Sequence, residues 1–131
     1  MQGCIFCKIV QKKLPSYLIY EDDHVMAFLD ISPASIGQTL VIPREHRTDY
    51  VFKIEDPLYT KLFATAKKIA TAIDSALETQ RTCMVVEGFE VSHPHIRLHP
   101  CYENHLNLKS LENKPSEEEF KKLAGQIKSL L

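Results

Sequence analysis

The sequence predicts an α+β fold, and three observations carry that prediction. Five short segments have the composition and alternation of strands, several of them bounded by turn residues. One long stretch, beginning at Asp56-Pro57, carries apolar residues at helical spacing. The C-terminal end opens with a capping pattern and repeats its apolar residues as a helix does. Together these predict an antiparallel sheet of about five strands with one long helix and a C-terminal helix.

The first strand is predicted over 17–21 (YLIYE). The second is predicted over 24–31 (HVMAFLDI). Its two-residue period puts Val25, Ala27, Leu29 and Ile31 on one face, and His24, Met26, Phe28 and Asp30 on the other. Ser32-Pro33-Ala34 ends it with turn chemistry. Gly37-Gln38 leads into a third strand, Thr39 to Ile42, which Pro43 stops.

Asp56 as N-cap and Pro57 at the first helical position open the long helix. Leu58, Leu62, Phe63, Ala66, Ile69, Ala70, Ile73 and Leu77 then form one apolar face through about residue 78. Strands follow at 82–86 (TCMVV) and 91–99, with Gly88 marking the turn between them. The last helix falls in about 116–131. Ser116 and Glu119 form its capping box, and Phe120, Leu123, Ala124, Ile127, Leu130 and Leu131 form its buried stripe.

The 131 residues suit a single domain, with the functional motifs in about 4–105. Sixteen Lys+Arg against seventeen Asp+Glu give a formal charge of −1, and no basic run occurs. That balance argues against a coat for nucleic acid polymers or anionic membrane, while leaving room for a small phosphate pocket. No stretch has the length of a signal core or a membrane span, so a cytoplasmic protein with reduced thiols is expected. The four Cys are then candidates for metal ligands, reactive thiols or core residues rather than disulfides.

The strongest chemical feature is Val91-Ser92-His93-Pro94-His95-Ile96-Arg97-Leu98-His99-Pro100. Read as a strand, it sets His93, His95, Arg97 and His99 in one row on one face. A neutral imidazole is a competent nucleophile toward phosphorus, and a guanidinium fork matches phosphoryl oxygens. The plain alternative is a solvated polar face on an edge strand, which Pro94 permits. No Gly-rich phosphate cradle exists, since only four Gly occur and none cluster.

Cys4-Ile5-Phe6-Cys7 offers half of a zinc site, or a redox or core pair. No βαβ pattern of the thioredoxin kind surrounds it. Cys83 and Cys101 read as packing residues. Phe28 and Asp30 share a strand face, which suits a base against the ring and ribose hydroxyls on the carboxylate. It equally suits a core Phe and a turn-capping Asp.

Five pieces occur in order along the chain: Cys4-x-x-Cys7-Lys-Ile, Tyr20-Glu-Asp-Asp, Ala27-Phe-Leu-Asp30-Ile-x-Pro33, Gly37-x-Thr-Leu-Val-Ile-Pro-Arg-x-His46, and Gly88-x-x-Val-x-His93-x-His95. The ordered set resembles the histidine triad (HIT) family of nucleotide-binding proteins. The resemblance implies a HIT-like fold and a homodimer whose sheet continues across the subunit boundary. It implies that His95 attacks the α-phosphate of a nucleotide, giving a nucleotidyl-imidazole that water then releases. It implies a nucleoside pocket lined by Phe28, Asp30 and Ile31, with Asp30 on the ribose. It also implies a structural Zn²⁺ on Cys4, Cys7, His46 and His93.

This chain departs from the family pattern in places. The third triad position holds Arg97, and His99 follows two residues later on the same face. Arg97 supplies charge but is a poor proton donor. Glu90 stands where a small hydroxyl residue often contacts phosphate, and Phe89 where a Gln is common.

The function expected is hydrolysis of phosphoanhydride or phosphoramidate bonds of purine nucleotides, with His95, Arg97 and His99 at the phosphate. The alternatives are a nucleotidyl transferase or phosphorylase, as the shared His-Pro-His suggests, and a nucleotide-binding dimer without catalysis.

Overall fold

A computed structural model describes residues 3–131; Met1 and Gln2, the start of the expected 1–131 domain, lie outside the described residues. The chain runs through α1 (Ile5–Val10), β1 (Leu18–Glu21), β2 (Val25–Leu29) and β3 (Thr39–Pro43). A short 3-10 turn at Val51–Lys53 leads to α2 (Leu58–Leu77), β4 (Arg81–Val85), β5 (Ile96–Cys101) and α3 (Glu117–Lys128). The strands form one antiparallel sheet in the order β1-β2-β3-β5-β4. This is the α+β arrangement the sequence predicts.

The alternation read over 24–31 holds within Val25–Leu29, where both faces are covered, but the strand ends at Leu29, and Ile31, expected on the Leu29 face, is exposed beyond it. Val25, Ala27 and Leu29 join Leu62, Ala66, Ile69 and Ile73 of α2 and Phe120, Ala124 and Ile127 of α3 in the main core. Met26 and Phe28 join a second cluster with Leu40, Ile42 and the α1 residues Phe6, Cys7 and Ile9. β2 and β3 are therefore buried along their whole lengths. Gly37 sits at φ +89°, and a Cβ there would meet Leu77 Cδ1 at 2.3 Å. Leu77 Cδ1 is the end of a flexible side chain that can move aside, so it is the positive φ that favours glycine here.

Three further local expectations are corrected, and a fourth difference is an element the sequence did not announce. The strand expected over 91–99 begins at Ile96. Pro94 lacks an amide hydrogen, and β4 ends at Val85 opposite Arg97, so no ladder extends to His93 and His95. Helix α2 begins at Leu58 with Pro57 in the cap position, rather than with Asp56 as N-cap. Asp56 still serves the first turn, because its Oδ1 accepts from Thr60 N at 3.2 Å and from Thr60 Oγ1 at 2.5 Å. Leu130 and Leu131 lie past the end of α3, exposed, and outside the buried stripe. The capping box of α3 is present, with Glu119 N donating to Ser116 Oγ and Ser116 N to Glu119 Oε1. Helix α1 is the fourth difference: no periodic pattern predicts it.

Candidate metal centre and histidine site

Helix α1 is short, and its start is set by a sulfur. Cys4 takes the N-cap position, and its Sγ accepts from Cys7 N at 3.3 Å. One turn of helix brings Cys4 and Cys7 to the same end. The loop after β3 delivers His46 there, and the irregular segment before β5 delivers His93. The ligand atoms of these four residues all lie within 4.8 Å of one another. Cys7 Sγ is 3.3 Å from His46 Nδ1 and 3.4 Å from His93 Nδ1, and Cys4 Sγ is 3.6 Å from His93 Nδ1. Four ligands at zinc bond lengths around one ion stand about 3.3–3.8 Å apart, so the contacts are those of a tetrahedron's edges.

The protonation pattern fits a metal. His93 Nε2–H donates to the carbonyl of Pro43 at 2.7 Å, which leaves the Nδ1 lone pair aimed at the sulfurs. Burial pushes the His93 pKa down to about 4, so the ring is neutral at pH 7, as a ligand must be. Burial, with the Cys4 sulfur beside it, pushes the Cys7 thiol up. Thiolates here call for a cation to offset that cost, and a two-sulfur, two-imidazole set suits Zn²⁺.

His95 stands next to this cluster, 5% exposed. Its Nδ1–H donates to the carbonyl of His93 at 2.8 Å. That bond fixes the tautomer and leaves Nε2 with its lone pair. Phe6 of α1 packs edge-on against His95, with centroids 5.2 Å apart, and against His93 and Phe28. The metal cluster and the histidine site thus share one supporting ring.

Strand β5 continues the row. Arg97 is opposite Leu40 of β3 and Val85 of β4, and Phe28 is opposite Leu40. Opposed residues share a face, so Arg97 lies on the face of Phe28. Its Nη2 is 3.7 Å from Glu87 Oε1, and its Nε is buried without a partner among the described residues. His99 is opposite Cys83 on that same face and is fully buried. Burial, reinforced by the Arg97 charge, pushes its pKa down to about 4.

Asp30 ends the row at the far side. Its Oδ1 accepts from Ser32 N and its Oδ2 from Gln38 Nε2, both at 2.8 Å. Its carboxylate therefore caps the turn, as the plainer sequence reading has it, and keeps lone pairs for further donors. Ile31 beside it is 62% exposed, and Phe28 is buried. Glu90 is exposed in the loop between β4 and β5, where Phe89 is 90% exposed.

Three participants were not singled out by sequence reasoning. Phe6 backs both histidines, Gln38 holds Asp30, and Glu87 faces Arg97. Only Glu87 had a usable signal, since strand alternation from Val85 carries it to the Arg97 face. Cys83 and Cys101 are free thiols whose sulfurs lie 3.6 Å apart, and neither belongs to the metal cluster.

Comparison with known proteins places this geometry. The HIT domain family profile matches residues 11–104. An uncharacterized HIT-like protein of Borreliella burgdorferi is 38% identical, with 97% of each chain covered. The adenosine 5'-monophosphoramidase of Saccharomyces cerevisiae is 34% identical over 98% of this chain and 81% of its own. The crystal structure of a Hit-like protein from Bartonella henselae superposes with a TM-score of 0.87 at 26% identity, covering 100% of this chain and 98% of that one.

Proposed function

This chain belongs to the HIT family, and from that premise we propose that it is a nucleotide hydrolase acting on purine nucleotides through a nucleotidyl-histidine intermediate. The bonds it opens are phosphoanhydrides or phosphoramidates. The observation that carries this reading is His95: its Nδ1–H is committed to the His93 carbonyl, so Nε2 is the free nucleophilic nitrogen.

In the first step Nε2 bonds to the α-phosphorus, and the bond from phosphorus to the leaving oxygen or nitrogen breaks. The ring becomes cationic, and the carbonyl accepting from Nδ1–H stabilises it. In the second step water attacks phosphorus, the P–N bond breaks, and the mononucleotide leaves. Arg97 supplies positive charge and donors to the phosphoryl oxygens, and Glu87 is the counter-ion that phosphate would displace. His99, expected with Arg97 at the phosphate, stands two residues further along the same row on the side of Asp30, so we assign it to the nucleoside instead. Phe28, Asp30 and Ile31 are assigned to that nucleoside, with Asp30 on the ribose, and Glu90 to the open side of the phosphate.

Zn²⁺ on Cys4, Cys7, His46 and His93 is part of the proposal, supported by the donor set and spacing. When bound it would tie α1 to the segment that presents His95, a structural role. Such thiolates suit a reducing, cytoplasmic setting. No described helix is long and apolar enough to cross a membrane. A single HIT domain over 1–131, paired as a homodimer, completes the reading; β4 is one of the sheet's two edges.

The test is turnover of adenosine phosphoramidates and dinucleoside polyphosphates, with the mononucleotide followed. The yeast relative's activity makes the phosphoramidate the first substrate to try. The shared His93-Pro94-His95 favours one second reading, a nucleotidyl transferase or phosphorylase, in which an acceptor other than water takes the nucleotide. Added inorganic phosphate would then appear in the product.

A further inference from the structure

The cross-strand register sets up a second row beside that of Phe28, Leu40, Arg97 and Val85. Leu29 is opposite Thr39, and Thr39 is opposite Leu98. One residue further along, Asp30 N donates to the Gln38 carbonyl at 2.9 Å, which continues the pairing. Gln38 then falls beside His99, and His99 is opposite Cys83. The row Asp30, Gln38, His99 lies on the face that carries Arg97.

His99 is the anomaly in it. Both ring nitrogens are buried without a partner among the described residues, on a side chain with 0% exposure. The ring is neutral, so it holds one donor and one acceptor. Leaving such groups unbonded is costly, and an aliphatic side chain would fill the same place without that cost. Packing therefore gives no reason for an imidazole here. Gln38 spends its amide on Asp30 and accepts from Ala34 N at 2.7 Å, so it is not His99's partner. The backbones at Asp30 and His99 stand two strand spacings apart, about 10 Å, a gap that a ribose ring with its two hydroxyls spans.

We propose that His99 is a specificity-determining residue of the nucleoside half of the site, whose ring hydrogen-bonds one ribose hydroxyl while Asp30 takes the other. The inference rests on the proposed nucleotide chemistry and deepens it: the substrate class becomes ribonucleotides with an intact vicinal diol. Because the ring is fully covered, the contact requires the bound nucleoside to displace the side chains over it. The selection follows from a polar group that only the ribose form satisfies.

The experiment uses the full chain, wild type and with His99→Leu and His99→Asn. Adenosine phosphoramidate and its 2′-deoxy and 3′-deoxy forms are compared by kcat and KM, and thermal midpoints are measured. The wild type should prefer the ribose form over at least one deoxy form by at least about tenfold in kcat/KM, the worth of one lost buried hydrogen bond. His99→Leu should melt higher than wild type and bring that ratio near one, mainly through KM. His99→Asn should restore part of the ratio. A ratio in His99→Leu equal to that of wild type overturns the inference, as does a lower midpoint with the ratio intact, which marks a packing role. A wild type that turns over both sugars equally also overturns it while leaving the hydrolase reading in place. A wild type that neither binds nor turns over any nucleotide overturns that underlying reading instead.

Discussion

Removing the metal from the proposed centre should melt α1 and leave the sheet standing. The helix has six residues, of which Phe6, Cys7 and Ile9 are buried. At roughly 1.5–3 kcal/mol for each large apolar side chain, Phe6 and Ile9 together contribute roughly 3–6 kcal/mol. Fixing six residues costs roughly 6–12 kcal/mol in backbone freedom. A helix this short is marginal alone, so apolar contact does not hold it down. The ligand set supplies the difference, since a structural zinc site of this kind contributes on the order of 10 kcal/mol. The core under α2 and α3 shares none of these ligands and keeps its own stability. The assay is hydrogen–deuterium exchange on zinc-loaded and chelator-treated protein. The amides of Lys8, Gln11 and Lys12, which donate to Cys4, Cys7 and Ile9 carbonyls, should lose protection by at least about 100-fold. Amides of β3 and β5 should keep theirs. Protection of α1 that survives metal removal would refute the reasoning, and so would loss of the whole sheet together with α1.

Other outcomes follow from the same geometry. Cys7→Ser should abolish stoichiometric zinc in metal analysis and lower turnover, because Phe6 then no longer holds His95. Arg97→Ala should lower kcat by about 10²–10³-fold, the usual loss for one donor at a developing oxyanion, with folding intact by circular dichroism. Acid titration of stability should expose His99. Its folded pKa of about 4 lies below the ordinary value of 6.5, so the unfolded chain takes up a proton that the folded one refuses. Stability should therefore be unaffected by His99 above pH 6.5 and fall between 6.5 and about 4. The fall attributable to this residue is on the order of 3 kcal/mol. Denaturant unfolding of His99→Leu should show a correspondingly shallower fall; an identical one would refute the assignment.

The sheet and α2 were legible because their periods are long enough to read, and because Pro43 and Gly37 punctuate them where the backbone turns. The four-residue metal cluster was legible only through the ordered motifs. Cys4-x-x-Cys7 by itself leaves two ligands open, and the chain delivers them from positions 46 and 93. Helix α1 was not legible, since six residues carry too little periodicity and its cap is a sulfur rather than an oxygen. The late start of β5 was not legible either. Side-chain alternation continues through His93 and His95, while the hydrogen-bond ladder stops where Pro94 has no donor and β4 has run out. Burial of the second face of β2 depends on α1, so the sequence leaves Phe28 open between a ring for a base and a core residue, and it is buried in the fold.

The central claim is that His95 becomes covalently nucleotidylated. It is tested most directly by intact-protein mass after rapid mixing with adenosine phosphoramidate, on wild type and His95→Ala. The account predicts a transient gain of one nucleotidyl group, mapped to His95, in wild type and none in the variant. Turnover with no adduct, or an adduct that persists in His95→Ala, would contradict it.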